Sequence, residues 1–456
     1  MSENNKQLQL RDSFGSKFGV IAAAAGSAVG LGNIWKFPYI AGIYGGAAFL
    51  FVYLAFIVAI GLPVMLSELI IGRGSRRNAF GAFKVLAPGT PWRYIGILGV
   101  SAAFLILSFY GVVAGWSVQY IVLSLENGFS NKTPDEISSL FTTLIESPIK
   151  PVLLQLFFML LTGAIVIIGI KKGIEKYTKI LMPILVVILI FLCIKAVSLE
   201  GAKAGLLFLF KPDFSKLTGD GILSALGHAF FTLSLGMGTL ITYGSYIKND
   251  NNLVNTVINV TVADTVIAIL AGVAIFPAVF AFGIEPSEGP GLIFITLPNV
   301  FHQMPGGYIF SILFFVLLSV AALTSAISIL EVVVAYFKEE FNMGRKASTI
   351  LATILISILG ILCSLSMGVL SPYTFFGLNI FDLMDWISAN LLLPIGGLFI
   401  ALFVGWFLGR KKVKEEVSKG GSLSGIFLSA FLFLVKFIAP IAIAIVMLNK
   451  VGLLRF

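Results

Sequence analysis

The sequence predicts an all-α polytopic membrane protein with eleven transmembrane helices, and three observations predict it. The first is composition: of 456 residues, 58% are hydrophobic and only 12% charged, with a mean hydropathy of +1.01. A water-soluble domain could not hide that much apolar surface, whereas lipid is itself an apolar solvent. The second is the length of the charge-free stretches. Phe37 to Ser67, Tyr94 to Leu125, Pro151 to Ile170 and Trp386 to Gly409 contain no Asp, Glu, Lys or Arg, and a spanning helix needs about 20 mostly apolar residues. The third is that basic residues gather in alternate connections between these stretches.

Taken in chain order, the spans lie near 14–36, 41–71, 94–125, 151–170, 176–197, 221–247, 253–283, 307–338, 347–367, 380–409 and 423–448. The stretch 285–305, with Glu285, Glu288, Pro290, Pro298 and Pro305, reads as a long ordered loop with short helical pieces. Of the 31 Lys and Arg residues, 21 fall on the side that holds the amino terminus, and Lys36 and Lys436 fall inside spans. That bias predicts a cytoplasmic amino terminus, and an odd span count then predicts an extracytoplasmic carboxyl terminus. The net charge of +9 is therefore topological, and no nucleic-acid partner is expected. Met1 to Asp12 is polar, and the first apolar run leads into Trp35-Lys36-Phe37-Pro38, so no cleavable signal is expected. Cys193 and Cys363 lie in separate apolar runs, and His228 and His302 are the only histidines. Neither set suggests a disulfide framework or a histidine-based metal cage.

Two spans carry glycine patterns unsuited to a continuous helix. Span one reads Ala25-Gly26-Ser27-Ala28-Val29-Gly30-Leu31-Gly32-Asn33, and span six reads Phe230-Phe231-Thr232-Leu233-Ser234-Leu235-Gly236-Met237-Gly238. Each interior glycine costs roughly 0.5–1 kcal/mol of helix stability relative to alanine. Small residues in membrane helices also serve as packing contacts, but here the glycines cluster with Ser, Thr and Asn at mid-membrane depth. If spans one to five and six to ten are inverted repeats, the two clusters occupy corresponding positions. The chain then divides into a segment 1–13, a first repeat 14–197, a second repeat 198–409, and a loop with the last span at 410–456. A discontinuous helix exposes free carbonyls on one half and free N–H groups on the other, which suits a dehydrated cation beside a carboxylate. The glycine runs are no phosphate loop, since neither follows a strand.

These residues resemble the neurotransmitter:sodium symporter family, particularly its bacterial amino-acid transporters, from Arg11 to about Gly409. Ala28-Val29-Gly30-Leu31-Gly32-Asn33-Ile34-Trp35-Lys36-Phe37-Pro38 is similar to the family's first-helix signature. Phe231-Thr232-Leu233-Ser234-Leu235-Gly236, Thr242-Tyr243-Gly244-Ser245-Tyr246 and Ala321-Ala322-Leu323-Thr324-Ser325 are further matches. The resemblance implies sodium-coupled symport of an amino acid by alternating access in a cell membrane, such as the bacterial inner membrane. No enzymatic activity and no organic cofactor are expected, and the oligomeric state is left open.

Two sodium sites are implied. One would use the backbone of Gly26, Val29 and Ala321 with the hydroxyls of Thr324 and Ser325. The other would use Ala28, Asn33, Thr232 and Asp264 together with the substrate's carboxylate. The substrate site would take Ser27, Ala28, Leu31, Gly32, Ile106 and Tyr110 from the first repeat. Phe231, Thr232, Ser234, Met237, Ser325 and Ile329 would come from the second, with the Tyr110 hydroxyl on the substrate carboxylate. The family's amine carriers have an aspartate where this chain has Gly30, which favours a substrate that brings its own carboxylate. Met237 stands where the leucine-transporter pattern has Phe, and its flexible thioether adapts to larger side chains. An apolar or aromatic L-amino acid is expected.

Asp264 stands where the family usually has an amide, and His228 where it has the glutamine of its chloride site. This departure from the family pattern leaves two readings open: transport without chloride, Asp264 supplying the fixed charge and taking a proton in the empty return step with His228 close by, or a carboxylate with a structural role only. Lys36 with Asp385 would close the outer vestibule, and Arg11 with Glu339 and nearby Tyr246 the inner one. Glu68 would hold the unwound part of span six, and the Gly173-x9-Pro183 spacing would let the start of span five unwind. Glu331 and Lys436 have no assigned role. The competing readings are a proton-coupled carrier of the same fold, a non-transporting membrane sensor and a membrane enzyme. The Thr324/Ser325 pair disfavours the first, because no Lys or Arg replaces that site.

Overall fold

The computed structural model describes residues 12–283, 291–421, 424–450 and 452–454. Helices make up nearly all of them, and the only β pairing among the described residues is an isolated bridge between Phe375 and Leu378. Nine helices among these residues are long and apolar enough to cross a membrane. They are Ala47–Ser75, Arg93–Leu125, Lys150–Ile167, Ile170–Val197, Leu253–Ala281, Gly307–Glu340, Arg345–Leu365, Ile380–Ser418 and Gly425–Lys450. A tenth span is the bent pair Lys17–Ala28 and Gly32–Ile43, which meet at 48°. Gly219–Thr232 and Thr239–Gly244 flank a six-residue break, and as one broken span they are compatible with the expected eleven.

The two broken spans begin alike. Ser16 caps the first, its side chain accepting from Gly19 N–H, and Thr218 caps the sixth by accepting from Gly221 N–H. Each hydroxyl satisfies a donor that the first turn leaves open. Around them, span eight packs along span three, span seven against span five, and span nine against span four. Exposed apolar side chains such as Val58, Leu160, Val187 and Ile354 form the outer surface, as expected where the surroundings are lipid.

Several boundaries differ from the sequence expectation. Span one runs to Ile43 and span two starts at Ala47, because the turn falls at Gly45 and Gly46, both with positive φ. A Cβ on Gly46 would stand 2.3 Å from the Phe208 carbonyl oxygen, so only glycine fits. Span five starts at Ile170 in a wide π-type turn, Ile170–Glu175, set off by Gly169 at φ 109°. Span ten continues to Ser418 through a bend at Gly409, so the basic stretch expected as loop is helical. Of the expected 285–305 loop, Leu292–Gln303 is helical, and 285–290 lies outside the described residues.

Candidate functional site

The break in span one starts where Val29 turns extended at ψ 106°. Two N–H groups freed there find side chains: Gly30 N–H donates to Asn33 Oδ1 at 3.1 Å, and Leu31 N–H to Tyr110 Oη at 3.1 Å. Glycine at position 30 is required by space, since a Cβ would lie 2.6 Å from Tyr110 Oη and 3.0 Å from Ser325 Cβ. In span six, Ser234, Gly236 and Gly238 all have positive φ. Gly236 N–H donates to Glu68 Oε1 at 2.7 Å, so the buried Glu68 carboxylate holds the unwound strand. A buried peptide group without such a partner would cost several kcal/mol at this depth.

Between the breaks lies a small buried cavity lined by Ser27, Ala28, Gly30, Gly32, Ile106, Tyr110, Phe231, Thr232, Ser234, Met237, Ser325 and Ile329. All the expected substrate residues except Leu31 are on its wall. Leu31 meets the site through its backbone N–H alone, and Gly30 lines the cavity instead. Three serines draw the walls together: Ser234 Oγ and Ser325 Oγ both donate to the Ser27 carbonyl, at 2.9 and 3.1 Å, and Ser27 Oγ donates to Ser234 Oγ at 3.3 Å. The open volume is only about 10 Å³, so nothing much larger than a water molecule enters unless these contacts part.

Asp264 is fully buried and gathers the polar groups on one side of this cavity. Asn33 Nδ2 donates to its Oδ1 at 2.7 Å, Thr232 Oγ1 to the same oxygen at 2.9 Å, and Tyr53 Oη to its Oδ2 at 3.3 Å. All three donors are neutral. Among the described residues no Lys or Arg pairs with this carboxylate. On the other side, Thr324 Oγ1 lies 3.0 Å from the Ala321 carbonyl oxygen and 3.5 Å from that of Val29. Gly26 abuts the same place, with an added Cβ only 3.4 Å from Thr324 Cβ. Ser325 Oγ belongs to both sides through its bond to Ser27. Hard neutral oxygens and one carboxylate suit an alkali cation.

His228 makes no hydrogen bond to Asp264, and neither ring nitrogen has a hydrogen-bond partner among the described residues. Its ring packs at 5.3 Å on Tyr53, and Tyr53 is what reaches the carboxylate. No sequence signal marks Tyr53, one aromatic in an apolar helix. Lys36 Nζ stands 3.5 Å from Asp385 Oδ1 and 4.4 Å from the Phe231 ring centre, which places it over the cavity mouth. At the opposite end Glu339 accepts from Asn78 N–H and Nδ2 at 2.9 and 3.0 Å, while Arg11 lies outside the described residues. Tyr246 Oη donates to Glu331 at 2.7 Å, and Arg345 pairs with Glu331 at 2.6 Å while its guanidinium also donates to the Val166 carbonyl. Glu331 thus ties spans four, six, eight and nine together, a role invisible until span nine's first residue is brought beside it. Lys436 lies 5.1 Å from the Trp406 ring centre.

A bundle of lipid-facing helices, with two of them unwound at mid-depth around a closed polar cavity, defines a multi-pass membrane transporter. The model of the sodium:neurotransmitter symporter family matches residues 11–137 and 145–455, and the chain belongs to that family of sodium-dependent transporters. It is 42% identical to YhdH, a sodium-dependent transporter of Bacillus subtilis, over 97% of this chain and 98% of that one. It is 37% identical to a sodium-dependent transporter of Haemophilus influenzae, over 99% and 100%. Among solved structures it resembles MhsT in complex with L-phenylalanine, at a TM-score of 0.90 and 49% identity over 96% of this chain and all of that one.

Proposed function

We propose that this transporter carries an apolar or aromatic L-amino acid together with sodium, without chloride. The single observation behind the reading is Asp264: a buried carboxylate with three neutral donors and no cationic partner among the described residues. An unpaired buried charge costs several kcal/mol, and a cation beside Asn33 and Thr232 relieves that cost. The likeness to MhsT with L-phenylalanine supports the substrate class, as does the apolar wall of Ile106, Phe231, Met237 and Ile329.

In this reading one sodium ion is held by Ala28, Asn33, Thr232, Asp264 and the substrate's carboxylate, whose other oxygen takes the Tyr110 hydroxyl and the Leu31 N–H. A second ion is held by Gly26, Val29, Ala321, Thr324 and Ser325. The shared carboxylate makes ion and substrate parts of one another's sites, so each tightens the other. Asp264 provides the negative charge that a chloride ion would otherwise bring, and it takes a proton when the carrier returns empty, with His228 beside it. Lys36 with Asp385 closes one end of the path. Arg11 and Tyr246 with Glu339 close the other, the end held in the cytoplasm with the amino terminus, and the carboxyl terminus lies outside.

The test is uptake of labelled L-phenylalanine into proteoliposomes under an imposed sodium gradient, with chloride replaced by gluconate. Undiminished uptake is expected. Uptake that collapses without chloride overturns the chloride-free reading, and uptake driven equally by a proton gradient alone overturns the sodium coupling. Competition by the other proteinogenic amino acids then ranks the side chains accepted.

A further inference from the structure

At the start of span five the chain folds into the wide turn Ile170–Glu175 and then the helix from Lys176. This turn places Lys171, Lys172, Lys176 and Lys179 around an open cleft of about 540 Å³ whose far wall is Gly15 and Ser16, the start of span one. The only carboxylate in the cleft among the described residues, Glu175, is already committed. It accepts from Gly15 N–H at 2.6 Å, Ser16 Oγ at 3.0 Å and Lys179 Nζ at 2.5 Å. Lys171, Lys172 and Lys176 are exposed, and none has an ion-pair partner among the described residues. Three unpaired cations thus share one concave surface.

Directly beyond the cleft, the outer face of span five is bare hydrocarbon. Ile180, Ile184, Val187, Phe191 and Ile194 are 49, 43, 68, 38 and 65% exposed. Their spacing of three and four residues continues the stripe from Lys176 down one side of the helix. A basic cleft at the head of an apolar lane matches one ligand shape, an anionic head carrying hydrocarbon chains.

We propose that this cleft is a binding site for an anionic phospholipid, its phosphate held by Lys171, Lys172 and Lys176 and an acyl chain lying along Ile180, Ile184 and Val187. The site does not depend on which solute the carrier moves. Because the Lys171 side chain already packs on Gly15, close enough that a Cβ there would meet Cε at 2.6 Å, a bound headgroup also sits against the contact that anchors span one to span five. Anionic lipid therefore slows opening of that contact.

The test uses the full-length transporter in micelles, titrated with phosphatidylglycerol and read by native mass spectrometry, with thermal stability confirming the fold of each variant. The triple variant Lys171→Gln, Lys172→Gln, Lys176→Gln is expected to weaken the tightest lipid adduct by about tenfold or more, since each basic residue near an anionic headgroup contributes about a kilocalorie per mole. The corresponding Arg variant keeps the charge and keeps the adduct. Lys411→Gln, Lys412→Gln, Lys414→Gln removes the same charge from the exposed end of span ten and leaves the adduct unchanged. An adduct as tight in the first variant as in the natural protein overturns the site, and so does equal weakening by the control. Inorganic phosphate and glycerophosphoglycerol lack the chains and are expected not to displace the lipid; displacement by either overturns the lipid assignment in favour of a free-anion site. In phosphatidylcholine nanodiscs, adding phosphatidylglycerol is expected to slow hydrogen exchange at Gly15 and Ser16 in the natural protein and not in the Gln variant; unchanged exchange in both overturns the effect on span one.

Discussion

At the residue scale, Gly30 shows how little room the site leaves. A Cβ there would meet the Tyr110 hydroxyl at 2.6 Å, so Gly30→Ala must push Tyr110 off the Leu31 N–H. We expect uptake to fall at least about tenfold, the effect of losing roughly 1.4 kcal/mol from one hydrogen bond to a buried group, and the melting temperature to fall with it. A normal KM for uptake would contradict it. Asp264→Asn removes the one charge in the central network. Uptake in chloride-free buffer is expected to drop below detection and to recover in part when chloride is added; an Asp264→Asn carrier that works normally without chloride would count against the proposed role of that carboxylate. Most of this site was legible in the sequence, because a glycine among Ser, Thr and Asn in an apolar helix has few other reasons to be there. Tyr53 was not, since nothing local separates a tyrosine that bonds a carboxylate from one that merely packs.

At the scale of elements, the two broken spans and the wide turn of span five do the work of positioning. Gly236 has φ 80°, and a Cβ on it would lie 2.4 Å from the Leu393 carbonyl oxygen in span ten. Gly236→Ala is therefore expected to lower stability by more than about 1 kcal/mol, the usual penalty for alanine forced to positive φ. The shift would be read as a fall in the melting temperature of the detergent-solubilised protein. An unchanged melting temperature would mean that span six winds differently there. The Glu331–Arg345 pair is a second element-level lock. Glu331 is fully buried and the Arg345 side chain is 16% exposed, and Glu331→Gln leaves that guanidinium without its counter-charge. Breaking such a pair costs about 3–5 kcal/mol, so Glu331→Gln is expected to melt well below Lys84→Gln, which removes only a half-exposed pair with Glu340. Pro183, inside span five, has no N–H to give the Lys179 carbonyl. The helix therefore lacks one backbone hydrogen bond about two turns beyond Glu175.

For the whole molecule, the prediction concerns linkage. If ion and substrate complete one another's sites, the factor by which sodium tightens L-phenylalanine equals the factor by which L-phenylalanine tightens sodium. Equilibrium binding in detergent, measured in both directions, checks this. A factor of one in both directions would mean that the two ligands do not complete one another's sites. The cavity is narrow because Ser27, Ser234 and Ser325 satisfy one another across it, and opening must exchange those bonds for the ligand's.

Residue order alone is enough to put the chain in lipid, to say roughly where each helix crosses, and to mark spans one and six as broken. These follow from local physics: hydrocarbon length sets helix length, and glycine marks where winding fails. Which side chains meet at the breaks depends on how the helices pack. That packing joined Tyr53 to Asp264, set His228 against a ring instead of the carboxylate, brought Arg345 to Glu331, and folded four lysines around the start of span one. Those pairings join residues far apart in sequence, across helices that are all similarly apolar. No periodicity in any one helix records which neighbour it will face.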